Sequence, residues 1–366
     1  MISKQSAFRG CLLGLAMGDA MGYSVDTKTW AQIQEDYGPH GLQGYDLVNG
    51  YADVTSHTQL ALFSANGLLL GQTRALVYGK MAPLARYVGV AQQEWAIGQR
   101  RYNQPTRNHC WTFRIPELRR RHCTDTRMIE TLNRGNLGTM DIPCNGYDDP
   151  ASIASAVAAG IFCAPPRLSR EDADRLGAEC IALTYGNPFA YLPGIVISHL
   201  ISACINDQDT PLATLVEESV KVLETQYGKK YRQVREIAAS VRHAVTLAER
   251  RSTHPVKAME QLTCLSGGDI LAGAVYAALL CEEDFDKAMI VAVNHSGRSA
   301  AVGCLTGAIL GARMGVAKLP EFYLEGLEVA PVLQEMADDL LQGCPMVRGN
   351  HMFDGDWDRK YLHGEP

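Results

Sequence analysis

The sequence predicts an all-α protein folded as a single compact, multi-helix domain, and three observations predict it. Apolar residues recur at three- and four-residue intervals from one end to the other. No stretch alternates apolar and polar residues long enough to make a strand. No linker, low-complexity tract or solenoid repeat divides the 366 residues.

The first helix is expected over residues 7–22. Its apolar run, Cys11 to Met17, passes straight into Gly18 and Asp19, too short for a signal peptide and without a cleavage site of small residues. Helices follow at 57–70, 84–99, 151–163 and 188–204. Over 212–223, Leu212, Leu215, Val216, Val220 and Leu223 share one face, with Thr210 as the expected N-cap and Pro211 as the first helical residue. A helix at 231–248 precedes the Ser266-Gly267-Gly268-Asp269 turn, which opens another over 269–281. Asp284 opens a helix over 285–293, and the last spans 299–314. Two of these segments, GCLLGLAMGDAMG and VGCLTGAILGARMG, repeat glycine inside a helix. Each such glycine costs about 1 kcal/mol relative to alanine, so the repetition predicts helices that approach each other, or a cleft, very closely.

Composition narrows the function. Apolar residues make up 46% of the chain and charged ones 20%, enough for a sizeable core. A net charge of -6 argues against general nucleic-acid binding. No continuous apolar run is long enough for a membrane span. The 11 cysteines form no CxxC pair and many fall inside apolar helical patterns, which suits reduced thiols in a cytoplasmic protein. Between residues 100 and 127 arginine is dense: Arg100, Arg101, Arg107, Arg114, Arg119, Arg120, Arg121 and Arg127. A solvated face is the default reading, yet Arg119, Arg120 and Arg121 are also the natural place to meet phosphate, a nucleotide or an acidic partner. The tail aspartates Asp354, Asp356 and Asp358 alternate as in a calcium loop, but Arg359 stands where the loop needs glycine. No spacing sets a nucleophile beside a base, and no glycine loop cradles a phosphate.

Several segments share a resemblance. Gly10-Cys-Leu-Leu-Gly-Leu-Ala-Met-Gly-Asp-Ala-Met-Gly22, Tyr37-Gly38-Pro39 with Gly41 and Tyr45, Thr58-Gln59-Leu60, Leu183 to Pro188, and Asn294 to Gly315 resemble, in order, segments of the ADP-ribosylglycohydrolase family, which includes the dinitrogenase reductase-activating glycohydrolases. The resemblance spans roughly residues 8–320, leaving 321–366 as a C-terminal extension packed on the same domain. It implies an all-α fold with a central cleft, two divalent cations, usually magnesium, and release of ADP-ribose from a modified side chain or another ADP-ribosyl group.

At the residues that carry this chemistry the chain departs from the family. Where the resemblance implies Thr-Asp-Asp-Thr, it reads Thr55-Ser56-His57-Thr58. Where it implies Gly-Asp-Thr-Asp-Thr, it reads Gly297-Arg298-Ser299-Ala300-Ala301. The substrate loop is not recognisable in Cys144 to Pro150, and the central Thr-His has become Thr184-Tyr185. A family glutamate near the reacting ribose falls at Asp26. Carboxylates are what hard cations require, so no binuclear magnesium site and no cofactor are expected.

Arg298 should fill the old metal position and pair with Asp26 or Asp53, because a buried guanidinium needs a partner. Asp19 should be a structural acceptor, and His57 with His295 too few ligands for a transition metal. Asp19, Asp26, Asp53, Tyr185 and Arg298 are the cleft candidates. The function implied is binding, either of an ADP-ribosyl or nucleotide group or of a protein such as an ADP-ribosyltransferase toxin, as in immunity proteins of the family. One alternative is metal-independent hydrolysis using Asp26 with Asp53, His57 or Tyr185. The other is a structural role, as in crystallin-like members of the fold.

Overall fold

The computed structural model describes residues 2–79, 82–99, 108–122, 125–251, 254–349 and 352–366. Arg100, Arg101 and Arg107 of the arginine-rich segment lie outside the described residues. The chain runs through α1 (Lys4–Tyr23), α2 (Trp30–Tyr37), α3 (Ser56–Tyr78), α4 (Leu84–Gly98), α5 (Thr126–Arg134), α6 (Ser155–Cys163), α7 (Arg170–Ala182), α8 (Pro188–Tyr191) and α9 (Pro193–Asn206). It continues through α10 (Leu212–Tyr227), α11 (Gln233–Arg250), α12 (Pro255–Gln261), α13 (Gly267–Leu280), α14 (Phe285–Val293), α15 (Ser299–Met314), α16 (Glu321–Glu325), α17 (Ala330–Gln342) and α18 (Gly355–Asp358). Among the described residues no strand forms, and one isolated bridge, Val48 to Tyr51, closes a tight turn at Asn49-Gly50, both at positive φ.

The fold is organised around one helix pair. In α1, Gly10, Gly14, Gly18 and Gly22 fall every fourth residue, and the same spacing in α15 places Gly303, Gly307 and Gly311 on its facing side. The two helices lie backbone against backbone: a methyl at Gly14 would sit 2.1 Å from the Gly307 carbonyl oxygen, and one at Gly18 1.9 Å from that of Gly303. This explains the glycines inside helices, and it fixes where α15 begins relative to the end of α1. Around the pair lie α3, α9, α13, α14 and α17, and α4, α6, α7, α10 and α11 pack outside these, with α3 running alongside α4 and α6.

Capping mostly follows the residue types. Asp284 caps α14 through the Lys287 N–H, and Ser266 with Asp269 forms a full capping box on α13. The start of α10 differs from expectation. Pro211 is the residue before the helix, and Thr210 turns its hydroxyl to Asp207 (2.7 Å) instead of capping. The segment Pro188–Asn206 is long and apolar enough, by composition alone, to cross a membrane, but 78% of it is buried inside the fold. Residues beyond 320 lie against the earlier helices. Arg9 pairs with Asp338, and Trp357 Nε1 donates to Thr73 Oγ1 at 2.9 Å. Asp354, one of the tail aspartates, caps α18 by accepting from the Asp356 and Trp357 N–H groups.

Candidate functional site

Three chain segments meet at the floor of a cleft of about 340 Å³: the turn after α1 with Asp26 and Thr27, the start of α3 with Thr55, Ser56 and His57, and the start of α15 with Arg298, Ala300 and Ala301. The glycine seam sets this meeting, because α1 ends where α15 starts. One wall carries Asp125, Thr126 and Arg127 from the start of α5, together with Asp149 to Ala151; Tyr23 and His122 form the rim.

The two helix starts at the floor are each held by a carboxylate from the α1 side. Asp19 is fully buried and accepts from the N–H and hydroxyl of Thr55 (2.9 and 2.6 Å) and from those of Thr58 (3.1 and 2.6 Å). It therefore serves α3 as a remote cap and does not line the cleft. Asp26 accepts from the Ala300 N–H at 3.1 Å and so does the same for α15. Burial pushes the Asp26 carboxyl above its ordinary value, and the Ala300 N–H, His57 and Arg298 offset only part of that.

Arg298 turns into the cleft, but its partner is neither Asp26 nor Asp53. It crosses to the opposite wall and pairs with Asp149. Asp26 is already engaged by the α15 backbone, and Asp53 lies in a neighbouring depression, where it accepts from Arg120 (3.1 Å) and faces His122 (3.7 Å). Burial pushes the Asp149 carboxyl up, with Arg298 working against it. Next to this pair, Arg127 grips Asp125 through two 3.1 Å bonds, stands 4.0 Å from Asp149, and lies over the Tyr147 ring. Burial disfavours the Asp125 charge, yet bonds from Arg127 and Tyr185 outweigh it and hold the carboxyl below its ordinary value. Tyr185 is fully buried, does not line the cleft, and donates to Asp125 on its wall at 2.7 Å.

His57 lines the floor and is only 8% exposed, and its Nδ1 has no hydrogen-bond partner among the described residues. Arg298 Nε is also buried with no partner among the described residues. His295 lies elsewhere: fully enclosed, with Nε2 on the Ala292 carbonyl at 3.0 Å, it is pushed by burial down to about 4.

Of the three clustered arginines, Arg119 stacks over Phe113 at 5.7 Å, Arg120 is shared between Asp53 and Glu328, and Arg121 borders the same depression. The wall residues Asp125, Arg127 and Asp149, and the rim residues Tyr23 and His122, were not singled out as cleft residues from sequence. Asp149 lies in the Cys144–Pro150 stretch, where no motif is recognisable, and nothing in the sequence pairs it with Arg298.

A model of the ADP-ribosylglycohydrolase family matches residues 2–350, further at both ends than the motifs alone reach. An uncharacterized protein of Archaeoglobus fulgidus is 26% identical over 344 residues, covering 92% of this chain and 97% of that one. A solved chain described as an ADP-ribosylglycohydrolase-related protein complex superimposes with a TM-score of 0.58 at 19% identity, over 93% of this chain and 98% of its own, a likeness of fold. Since the family match takes in nearly the whole sequence, the chain belongs to the ADP-ribosylglycohydrolase family.

Proposed function

We propose that this member of the family recognises an ADP-ribosyl or nucleotide group in its cleft without paired divalent cations, and acts by binding in place of metal-dependent hydrolysis. The observation that carries the reading is Arg298, a guanidinium at the start of α15 that points into the cleft and pairs across it. The donor set at the floor does not fit two hard cations. Thr55 Oγ1 is committed to Asp19 and the His57 N–H, and Asp26 is the one carboxylate among the floor residues. Carboxylates are what magnesium selects, and a guanidinium 4 Å from a unit positive charge adds repulsion of about 4 kcal/mol at an effective dielectric of 20. A protein bearing or presenting such a group, an ADP-ribosyltransferase among them, is the partner class this reading fits.

The test is calorimetric titration with ADP-ribose in magnesium and in chelator. Equal affinity in both supports the reading; binding that appears only with magnesium sinks it and reopens hydrolysis. A second reading has its own observation. Asp26 is a buried carboxyl with a raised pKa beside His57, which suits general acid or base work. Metal-independent release of ADP-ribose from a modified peptide, abolished in Asp26→Asn, would favour that reading over binding alone.

A further inference from the structure

Two buried polar atoms at the cleft floor, His57 Nδ1 and Arg298 Nε, have no protein partner among the described residues. They belong to side chains from the start of α3 and the residue before α15, both of which line the cleft where these helices begin. Arg298 Nε is a donor only, so what completes it must be an acceptor. His57 is more than nine-tenths buried, and its Nδ1 can donate to the same acceptor once the ring holds a proton there. The α15 helix is 16 residues long and directs the positive end of its dipole at this floor.

The facing charges are mixed. Asp149 holds Arg298 from the far wall, Arg127 and Asp125 are engaged with each other, and Asp26 lies beneath on the Ala300 N–H. Asp149 is the side chain that supplies Arg298 with an anion, and burial works against its charge. A stronger oxyanion entering the floor would take over that role and also satisfy the two open donors.

We propose that the cleft floor is an oxyanion seat, in which a phosphoryl group of the ligand replaces Asp149 on Arg298 and accepts from His57. The metal position would then be inverted in charge, built for an anion in place of cations. This deepens the metal-free reading of the same cleft by naming the chemical group that enters it.

The probe is inorganic phosphate, titrated into the full chain by calorimetry at low ionic strength. Arg298→Ala and His57→Ala are expected to weaken phosphate binding by about tenfold or more. Asp149→Asn, which removes the competing carboxylate, is expected to tighten it by about threefold or more. Thermal melts of each variant separate loss of the seat from loss of the fold, and Asp149→Asn keeps the test signed even if Arg298→Ala folds poorly. The seat is overturned if phosphate fails to bind the wild-type chain, if Arg298→Ala binds it as well as wild type, or if folded Asp149→Asn binds it more weakly. Failure of the seat and failure of the parent reading look different. ADP-ribose binding unchanged in Arg298→Ala leaves metal-free recognition standing and removes the seat. Phosphate binding with the expected variant pattern, but no ADP-ribose binding, keeps the seat and removes the ADP-ribosyl ligand.

Discussion

Asp19 anchors the start of α3 with a single side chain. Its carboxylate takes four donors from Thr55 and Thr58 and is shut off from bulk solvent. Asp19→Ala strands those donors, each of which costs about 1–3 kcal/mol when buried and unpaired. The variant is therefore expected to lose at least about 3 kcal/mol in urea unfolding, far more than a surface substitution. His295 makes a second prediction, on pH. Its folded-state value is lowered from 6.5 to about 4, so in that window the unfolded chain holds a proton the folded chain refuses. The associated stability is complete above pH 6.5 and is lost as pH falls towards 4, at about 1.4 kcal/mol per pH unit. Denaturation curves over this range should be flatter for His295→Gln; equal slopes would show that the buried imidazole is not the titrating group. The same scale shows where sequence reading stopped. Residues in register with family motifs, such as His57, Arg298 and Asp26, could be assigned to helix starts and a turn, and the structure brings those together. Their wall partners could not, because Asp125 caps a short helix with few buried residues, Asp149 lies in the irregular stretch after it, and only the fold decides which arginine each one meets.

At the scale of elements, the α1–α15 seam places two effects in opposition. Glycine to alanine in a helix interior gains about 1 kcal/mol from propensity. A Cβ at Gly18, however, would stand 1.9 Å from the Gly303 carbonyl oxygen, which is backbone and has no rotamer to yield. Overpacking of this kind commonly costs 1–3 kcal/mol and here must separate two helices. Gly18→Ala is therefore expected to lower the melting temperature, whereas Gly44→Ala, with open space around it, should change it little. Because α15 carries Arg298 at its start, the same variant should also weaken whatever the cleft binds. Long apolar helices were legible because they are buried on most sides; α3 and α15 expose almost nothing in their first turns. Apart from α17, the helices the sequence did not disclose are short or polar. In α7 the first half, Arg170 to Arg175, is almost entirely charged and its buried face begins only at Asp174 and Leu176, so the period has little length in which to show. In α5 only Met128 and Leu132 are buried, one turn apart.

For the whole molecule, the question is whether residues beyond 320 are an appendage or part of one folding unit. Their contacts argue for the unit. Arg167, from the α6–α7 connection, donates to the Phe162, Leu340 and Leu341 carbonyls, so one guanidinium closes the ends of two helices far apart in sequence. Burial lowers it to about 10, yet it stays charged at neutral pH. Leu333, Met336, Leu340, Trp357 and Tyr361 are buried against the earlier helices, and Tyr361 donates to Asp339 at 2.6 Å. Fully burying a side chain of this size contributes about 1.5–3 kcal/mol, so these residues together contribute on the order of 10 kcal/mol as an upper estimate. That is comparable to the whole stability of an ordinary domain, about 5–15 kcal/mol. A chain ending at Pro320 would also uncover the face of α1 that meets α17, leave Arg9 without Asp338, and remove the Trp357 N–H from Thr73. It is therefore expected to lack a cooperative melt by circular dichroism and to be cut rapidly by protease. If instead it melted cooperatively close to the full chain, the C-terminal segment would be an extension on a self-sufficient core, and the single-unit reading would be wrong.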